Sequence, residues 1–325
     1  MDLSRFDLNL LKTLDVLLKE RNVTRAAERL FVTQQAASGA LQRLRRHFDD
    51  DLLSPVGRRL EPTPLGLSLV VPVRDALLAA KAAIETRPSF DPQTTEGNCR
   101  IAMTDYGLLV VLPRFLRRLL AEAPRIRCTV EPLSNNSFSR LDMGDLDFCL
   151  AAHDVRLYGS HRPGNLIRSE PIFQDDFVCV VDARNIDISH GMPLSAYRQG
   201  RHNSVSFGDG VATIVERAWA ASKVEFDVAV TAPSFSALIS MLPGTSLVAT
   251  AQRRLANILA PRLGLAVVEC PLDVPKLQGN LMWHERTEPD PVHVYLRRTM
   301  EAAVADLDAE VAPTTSESCS YHPPM

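Results

Sequence analysis

The sequence predicts an all-α segment with a small β-hairpin, followed by an α/β domain. Three observations predict it. Residues 6–86 carry apolar side chains at helical spacing, interrupted by tight turns and one Pro-Gly segment. From residue 99 onward short apolar strands alternate with helical stretches, the pattern of a largely parallel sheet. Between them RPSFDPQTTEGN (residues 87–98) is rich in proline, threonine and polar residues and reads as a linker. A chain of 325 residues holds about two domains.

The elements follow in order. FDLNLLKTLDVLLKE (6–20) places Leu10, Leu11, Leu14, Leu17 and Leu18 on one helical stripe. TRAAERLF gives a short second helix over 24–31, with Thr24 as its expected N-cap, and Thr33 caps a third helix over 34–47. Only a tight turn, about FVT, fits between them. DDDLLSPVGRRLEPTP has Pro55 and Gly57 at its centre and apolar residues on both sides, so it reads as a hairpin or wing with its tip near Pro55 to Arg58. Thr63-Pro64 opens a long helix over 63–86. Leu69, Val73, Leu77, Ala80 and Ile84 step along it as a seam on which two helices pack, and Pro72 is expected to kink it. The same stripe also suits a helix packed on its own domain.

Past the linker the strands are CRIAMT, RCTVEPL, LDFCLAA, DDFVCVVDA, NSVSF, VEFDVAV, SLVAT, LAVVECPL and LQGNLMWHE. Helices are expected over 106–122, near 137–143, and over 211–221, 234–242 and 291–308. About 210 residues is long for one such unit, so two lobes are expected. The polar, proline-bearing end APTTSESCSYHPPM reads as disordered.

Composition narrows the function. Hydrophobic content of 46% and charged content of 23% suit a soluble globular protein. No run approaches the 18 apolar residues of a membrane span, and the acids in MDLSRFDLNLLKTLD do not suit a signal peptide. Six scattered cysteines without a C-x-x-C pair suit a reducing cytoplasm. G-x-S-x-G, P-loop and H-E-x-x-H patterns are missing, so an enzyme is not expected, nor a cofactor or metal. The net charge of −3 argues against a nucleic-acid partner until its distribution is read. Arg43, Arg45, Arg46, Arg58 and Arg59 cluster between residues 41 and 59, a local basic face suited to phosphates. A lone RLRR run is otherwise a solvated helix face.

The clustering gains meaning beside the alanines. A helix-turn-helix crosses two helices steeply at short distance, and Ala26 and Ala27 permit it. The second helix then leads with Gln34, Gln35 and Ser38, and glutamine bonds adenine bidentately in the major groove. The segment TRAAERLFVTQQAASGALQRLRRHFDDDLLSPVGRRLEPTPLG resembles the DNA-binding region of LysR-type transcriptional regulators. That family shows A-A-x-x-L, S-Q-P-A-V-S, L-F-x-R and L-T-x-x-G. Here stand Ala26, Ala27 and Leu30, then Thr33-Gln34-Gln35-Ala36-Ala37-Ser38, Leu41, Leu44 and Pro62-Thr63-Pro64-Leu65-Gly66. MLPGTSLVATAQRRL resembles the family's glycine-turn-strand segment. FDLNLLKTLDVLL, DDDLL and LMWHERTEPDPVHVYLRR resemble the branch of aromatic-degradation and nodulation-gene regulators. Two positions depart from the pattern. Gln35 replaces the usual proline, and Leu53-Ser54-Pro55 stands where a wing arginine is expected.

The resemblance implies a winged helix-turn-helix domain (1–62), a linker dimerisation helix (63–90), a two-lobed periplasmic-binding-protein-like α/β effector domain (91–311) and a disordered tail (312–325). It implies a homodimer or homotetramer bound to double-stranded operator DNA, with RNA polymerase as a further partner and no membrane. A small-molecule effector, an aromatic acid or a phenolic, is expected between the lobes. The expected DNA contacts are Thr24, Thr33, Gln34, Gln35, Ser38, Arg43, Arg45, Arg46, Arg58 and Arg59; the dimer contacts are Leu69, Val73, Leu77 and Ile84. Ligands bind beyond the carboxyl ends of strands, where helix N-terminal amides hold anions. That places Thr104, Asp105 and Tyr106 in the first lobe and His202, Ser204, Ser206 and Phe207 in the second, with Phe235 as a second ring to stack. Thr104 would otherwise be a plain N-cap, Asp105 a partner of its helix dipole, His202 a satisfied histidine, and the two phenylalanines core. A solute-binding protein with an accessory helical domain is the alternative.

Overall fold

The computed structural model describes residues 6–56, 59–85, 90–153, 166–206 and 212–311. The chain divides into two compact units, Met1–Ser89 and Phe90–Met325.

The first unit opens with α1 (Asn9–Glu20), α2 (Val23–Leu30) and α3 (Gln34–Phe48). Asn22, not Thr24, caps α2: its side chain accepts the Arg25 N–H, because the helix begins two residues earlier than a cap at the threonine would place it. Thr33 caps α3 by accepting the Ala36 N–H at 3.2 Å. Ala26 and Ala27 are buried where α2 crosses α3, and Leu14, Leu17 and Leu44 fill the core. The hairpin pairs β1 (Leu53–Val56) with β2 (Arg59–Pro62), with Val56 opposite Arg59. Its tip, Gly57 and Arg58, lies outside the described residues.

α4 (Pro64–Glu85) starts where Gly66 meets the Leu52 carbonyl; a Cβ there would collide with that oxygen. The helix runs on through Pro72. Its expected seam corrects as follows. Val73 is 3% exposed, and Leu69 and Leu77 pack on the same core beside α1. The Arg74 guanidinium holds both carboxylate oxygens of Asp15 on α1, at 3.0 and 2.8 Å, which fixes that face inward. Leu67, Val71 and Ile84 are the large apolar side chains that α4 exposes.

The second unit builds two five-stranded sheets. The first lobe holds β3 (Gly97–Met103), α5 (Asp105–Val110), α6 (Leu112–Glu122), β4 (Ile126–Pro132), α7 (Ser137–Asp142), β5 (Phe148–Ala152) and β6 (Ile167–Asp175). The chain crosses at Asp176 into the second lobe. There follow β7 (Phe177–Val181), α8 (Leu194–Gln199), β8 (Arg201–Val205), α9 (Ile214–Ala221), β9 (Asp227–Ala232), α10 (Phe235–Ser240), β10 (Leu247–Gln252), α11 (Arg253–Leu263) and β11 (Ala266–Glu269). Residues 270–276 return it to the first lobe, where β12 (Leu277–His284) and α12 (Pro291–Val311) close the unit. The strand orders are β4-β3-β5-β12-β6 and β11-β7-β10-β8-β9. Each sheet has three adjacent parallel strands, extended by strands whose inner member runs antiparallel to them.

Four elements depart from expectation; α8, a six-residue helix, has no counterpart among the expected ones. The helix over 106–122 is two helices meeting at Val111, since Pro113 lacks the N–H that would continue the ladder. β6 is an edge strand, mostly exposed and carrying Pro171, so it shows no apolar alternation to read. α11 hides its periodicity behind Pro261 and ends at Gly264 in the left-handed region.

Candidate nucleic-acid interface and ligand chamber

α3 separates its faces cleanly. Ala37, Ala40, Leu41 and Leu44 point into the core, Gln34 and Gln35 are exposed on the first turn, and Ser38 is half-buried beside them. Thr24 is exposed on the first turn of α2. The basic residues divide. Arg43 and Arg46 are exposed, Arg43 standing 3.9 Å from Asp7 and Arg46 donating to the Gln42 carbonyl at 3.4 Å. Arg45 is different: its Nε donates to the Asp51 carbonyl at 2.8 Å and its Nη2 to the Leu53 carbonyl at 2.7 Å. It clamps the wing onto α3, so its guanidinium is committed to the fold rather than to phosphate. Arg58 and the side chain of Arg59 lie outside the described residues.

Between the lobes of the second unit lies a chamber of about 950 Å³. The first lobe contributes Thr104, Tyr106, Asn135, Phe138 and Phe173; the second contributes Asn203, Ser204, Ser206, Phe235, Thr250 and Gln252. Thr104 caps α5 by position, yet its hydroxyl makes no capping bond. Tyr106 is buried and donates its hydroxyl to Asp175 Oδ2 at 2.9 Å. Burial pushes that phenol up, and the neighbouring carboxylate adds to the push. Burial also raises the Asp175 carboxyl, against the stabilising hydroxyl of Tyr106. Ser204 donates to Glu216 Oε1 at 2.9 Å, and Phe235 is half-buried in the wall.

Two expected contacts lie elsewhere. His202 is fully buried behind the wall, with Nε2 at 2.7 Å from the Tyr197 carbonyl and its ring edge-on to Tyr197, Trp219 and Phe226. Along β8 the odd-numbered neighbour, Asn203, reaches the chamber instead, so His202 does not face Thr104. Asp105 is not part of the chamber lining and accepts the backbone N–H groups of Phe235 and Ser236, at 3.3 and 2.6 Å, tying the first lobe to the start of α10. Phe207 lies outside the described residues.

Sequence reasoning missed Asn203, Thr250 and Gln252. Gln252 ends β10 at its carboxyl end and precedes α11, the position where such sheets present ligand contacts. That signal was present but unused. Asn203 Nδ2 donates to the Leu238 carbonyl at 2.6 Å, while its Oδ1 has no partner. Gln252 Oε1 likewise has none, and the two residues are 2% and 1% exposed. Among the described residues, the chamber lining carries no charged side chain. No group of three or more His, Cys, Asp or Glu side chains could hold a metal, and no helix is long and apolar enough to cross a membrane, both among the described residues.

Comparison with known proteins agrees with this division. Residues 8–67 match the bacterial regulatory helix-turn-helix protein, lysR family, and residues 92–305 match the LysR substrate binding domain. The chain is 33% identical over 295 residues to Nodulation protein D 2 of Rhizobium tropici, covering 90% of this chain and 91% of that protein. It is 30% identical over 302 residues to Nodulation protein D 1 of a Bradyrhizobium strain, covering 93% and 94%. A probable transcriptional regulator from Pseudomonas aeruginosa superimposes with a TM-score of 0.61 at 29% identity, covering 92% of this chain and 98% of that one. The fold is also that of CbnR complexed with its target DNA, at a TM-score of 0.57 and 16% identity, covering 92% and 100%. The helix-turn-helix match removes the solute-binding alternative, and the relatives are regulators rather than enzymes. The chain belongs to the LysR family of transcriptional regulators, in its nodulation-regulator branch, with an N-terminal DNA-binding domain and a C-terminal effector-binding domain.

Proposed function

We propose that a neutral, hydroxylated aromatic compound switches this regulator by binding the interlobe chamber. The carrying observation is a lining that is uncharged among the described residues and holds two buried, unpartnered carbonyl oxygens, Asn203 Oδ1 and Gln252 Oε1. An unpaired buried acceptor costs free energy that a donor hydroxyl recovers. A carboxylate entering the same chamber would lose its hydration with no cation among the described lining residues to receive it. Phe138, Phe173 and Phe235 supply apolar faces for rings. The phenolic reading is therefore favoured over the aromatic acid. A thermal-shift series checks it: phenols raise the melting temperature, since a ligand of the folded state stabilises it by about 2.7 kcal/mol at a hundredfold excess over Kd. Benzoates matched in ring size leave it unchanged. Stabilisation by the benzoates alone would overturn the choice.

On the DNA side, Gln34 reads a base edge, Gln35 adds affinity beside it, and Thr24, Thr33 and Ser38 approach the backbone. Arg43, Arg46 and the wing arginines Arg58 and Arg59 anchor phosphates. Exposure of Gln34, Gln35, Arg43 and Arg46 on α3 supports this reading. Selection from a randomised operator library should show Gln34→Ala losing about 1–3 kcal/mol of discrimination at one base pair. Arg43→Ala should lower the salt slope by about one unit on every sequence. The protein works in the cytoplasm as a homodimer or homotetramer, with RNA polymerase as its further partner. A supershift of the operator complex by purified polymerase tests that last contact.

A further inference from the structure

A helix that begins at a cavity presents unpaired backbone N–H groups and the positive end of its dipole, a ready place for an anion. The longer helices that begin at the chamber wall are α9, eight residues after Thr213, and α11, eleven residues after Gln252. Carboxylates of the protein itself already stand at both ends. Asp175 accepts the Arg254 N–H in the first turn of α11 at 3.2 Å. Glu216 lies in the first turn of α9 and accepts the Thr213 N–H at 2.8 Å through Oε2. The Thr213 hydroxyl accepts the Glu216 N–H at 3.2 Å in return, which closes a capping box. The shorter α10 is met in the same manner by Asp105. The chamber that a helix-lined cleft would offer to an anion is thus filled from within at these ends.

We propose, resting on the chamber as the effector site, that Glu216 sets the charge the chamber admits: its carboxylate, one side chain behind the wall, refuses anionic guests and makes Ser204 an acceptor for a guest hydroxyl. Glu216 Oε1 takes the Ser204 hydroxyl proton at 2.9 Å. A serine hydroxyl has one proton to give, so the Ser204 oxygen meets the chamber with lone pairs alone. The negative charge on its far side strengthens them as acceptors. Asn203 is set the same way, with Nδ2 donating to the Leu238 carbonyl and Oδ1 left over. A neutral hydroxyl can donate to this wall. A phenolate or carboxylate has no proton to give, and an anionic oxygen touching Ser204 lies two hydrogen-bond lengths, about 6 Å, from the Glu216 carboxylate. At that separation in a partly buried site, repulsion weakens binding by at least about tenfold.

Two guanidiniums stand in the neighbourhood, and neither belongs to the chamber lining. Arg254 lies 5.9 Å from the centre of the Phe173 ring and beside Asp175, whose charge offsets it. Arg217 follows Glu216 on α9 and donates to the Ala212 carbonyl at 3.0 Å in an exposed position. Asp105 and Asp175 each join the two lobes, so their loss would disturb the fold as well as the charge. Glu216 lies wholly within the second lobe, with Thr213 and Ser204 as its partners there, and its charge can be removed with both lobes still joined.

Calorimetry on the full-length protein measures the affinity for 4-nitrophenol below and above the pH at which that phenol ionises. Phenol, neutral in both buffers, corrects for changes in the protein itself. The wild type should lose at least about tenfold in affinity as 4-nitrophenol becomes its anion, with phenol unchanged. Glu216→Gln keeps the shape of the side chain and removes its charge. There the loss should shrink below about threefold, and benzoate at neutral pH should bind about tenfold more tightly than it does to the wild type. Ser204→Ala keeps the carboxylate and should still refuse benzoate. A wild type that holds 4-nitrophenol and its anion equally well overturns the proposal, even where Glu216→Gln fails to fold. So does an undiminished loss in a folded Glu216→Gln, or admission of benzoate by Ser204→Ala. A wild type that binds neither phenol nor neutral 4-nitrophenol would instead overturn the chamber reading on which the proposal rests.

Discussion

Gln252 and His202 show how burial sets opposite roles for two polar side chains. Gln252 Oε1 is buried without a partner in the chamber wall. Gln252→Leu removes an unsatisfied acceptor, so the effector domain should be as stable as the wild type or slightly more so by denaturant unfolding. Affinity for the stabilising phenol should fall by about five- to thirtyfold, the equivalent of about 1–2 kcal/mol for one hydrogen bond; calorimetry measures it. His202 makes its bond to the Tyr197 carbonyl inside an aromatic cage, and burial holds its imidazole below the ordinary 6.5. The unfolded chain takes up a proton near 6.5 while the native one does not until lower pH. This contribution is therefore complete above about 6.5 and is lost as pH falls from there toward the native value. Melting temperatures recorded from about pH 7.5 down to about pH 5.5 should decline less in His202→Phe than in the wild type. The histidine was legible in the sequence as a polar residue near a strand end, but which face it took was not. One residue of phase along β8 exchanges a chamber wall for a sealed cage.

At the level of elements, α4 shows the same limit for a helix. Its stripe Leu69, Val73 and Leu77 was visible, but a stripe does not name its partner. The α1 leucines and the Arg74–Asp15 pair claim it for the first unit. The opposite side, with Leu67 and Val71 exposed, is the face we assign to a second copy. Val71→Asp should dissociate the dimer in sedimentation while circular dichroism stays native. Val73→Asp should instead unfold the first unit, because it buries a carboxylate in a leucine core. Dissociation by Val73→Asp with native dichroism would reverse the assignment. Capping and turn chemistry were partly readable: the Thr33 cap, the alanine crossing and the presence of the hairpin follow from local sequence. Arg45 was misread because a guanidinium that holds two carbonyls eight residues or fewer away is indistinguishable, in sequence, from one free to meet a phosphate.

On the scale of the whole effector domain, Asp105 makes two of the hydrogen bonds that join the two lobes. Asp105→Ala leaves the Phe235 and Ser236 amides without that acceptor. Their hydrogen exchange should accelerate by about ten- to a hundredfold, as expected for charged hydrogen bonds of about 1.5–3 kcal/mol. The alternation of strands and helices predicted an α/β domain and its length predicted two lobes, but the edge strand β6 escaped because an exposed edge needs no apolar pattern. β6 has a consequence for what the chamber admits. Its Phe173 stands opposite Gly279 on β12, and a Cβ at Gly279 would fall inside the Phe173 ring. The missing methyl is thus what lets the ring lie back against the wall. Gly279→Ala should swing the ring into the cavity and shorten the guest that fits, so that single-ring phenols still bind in calorimetry while fused or linked two-ring phenols are refused. A single glycine in the wall would then act as a gauge for ligand length, set by a residue whose own surface offers a guest almost nothing to hold.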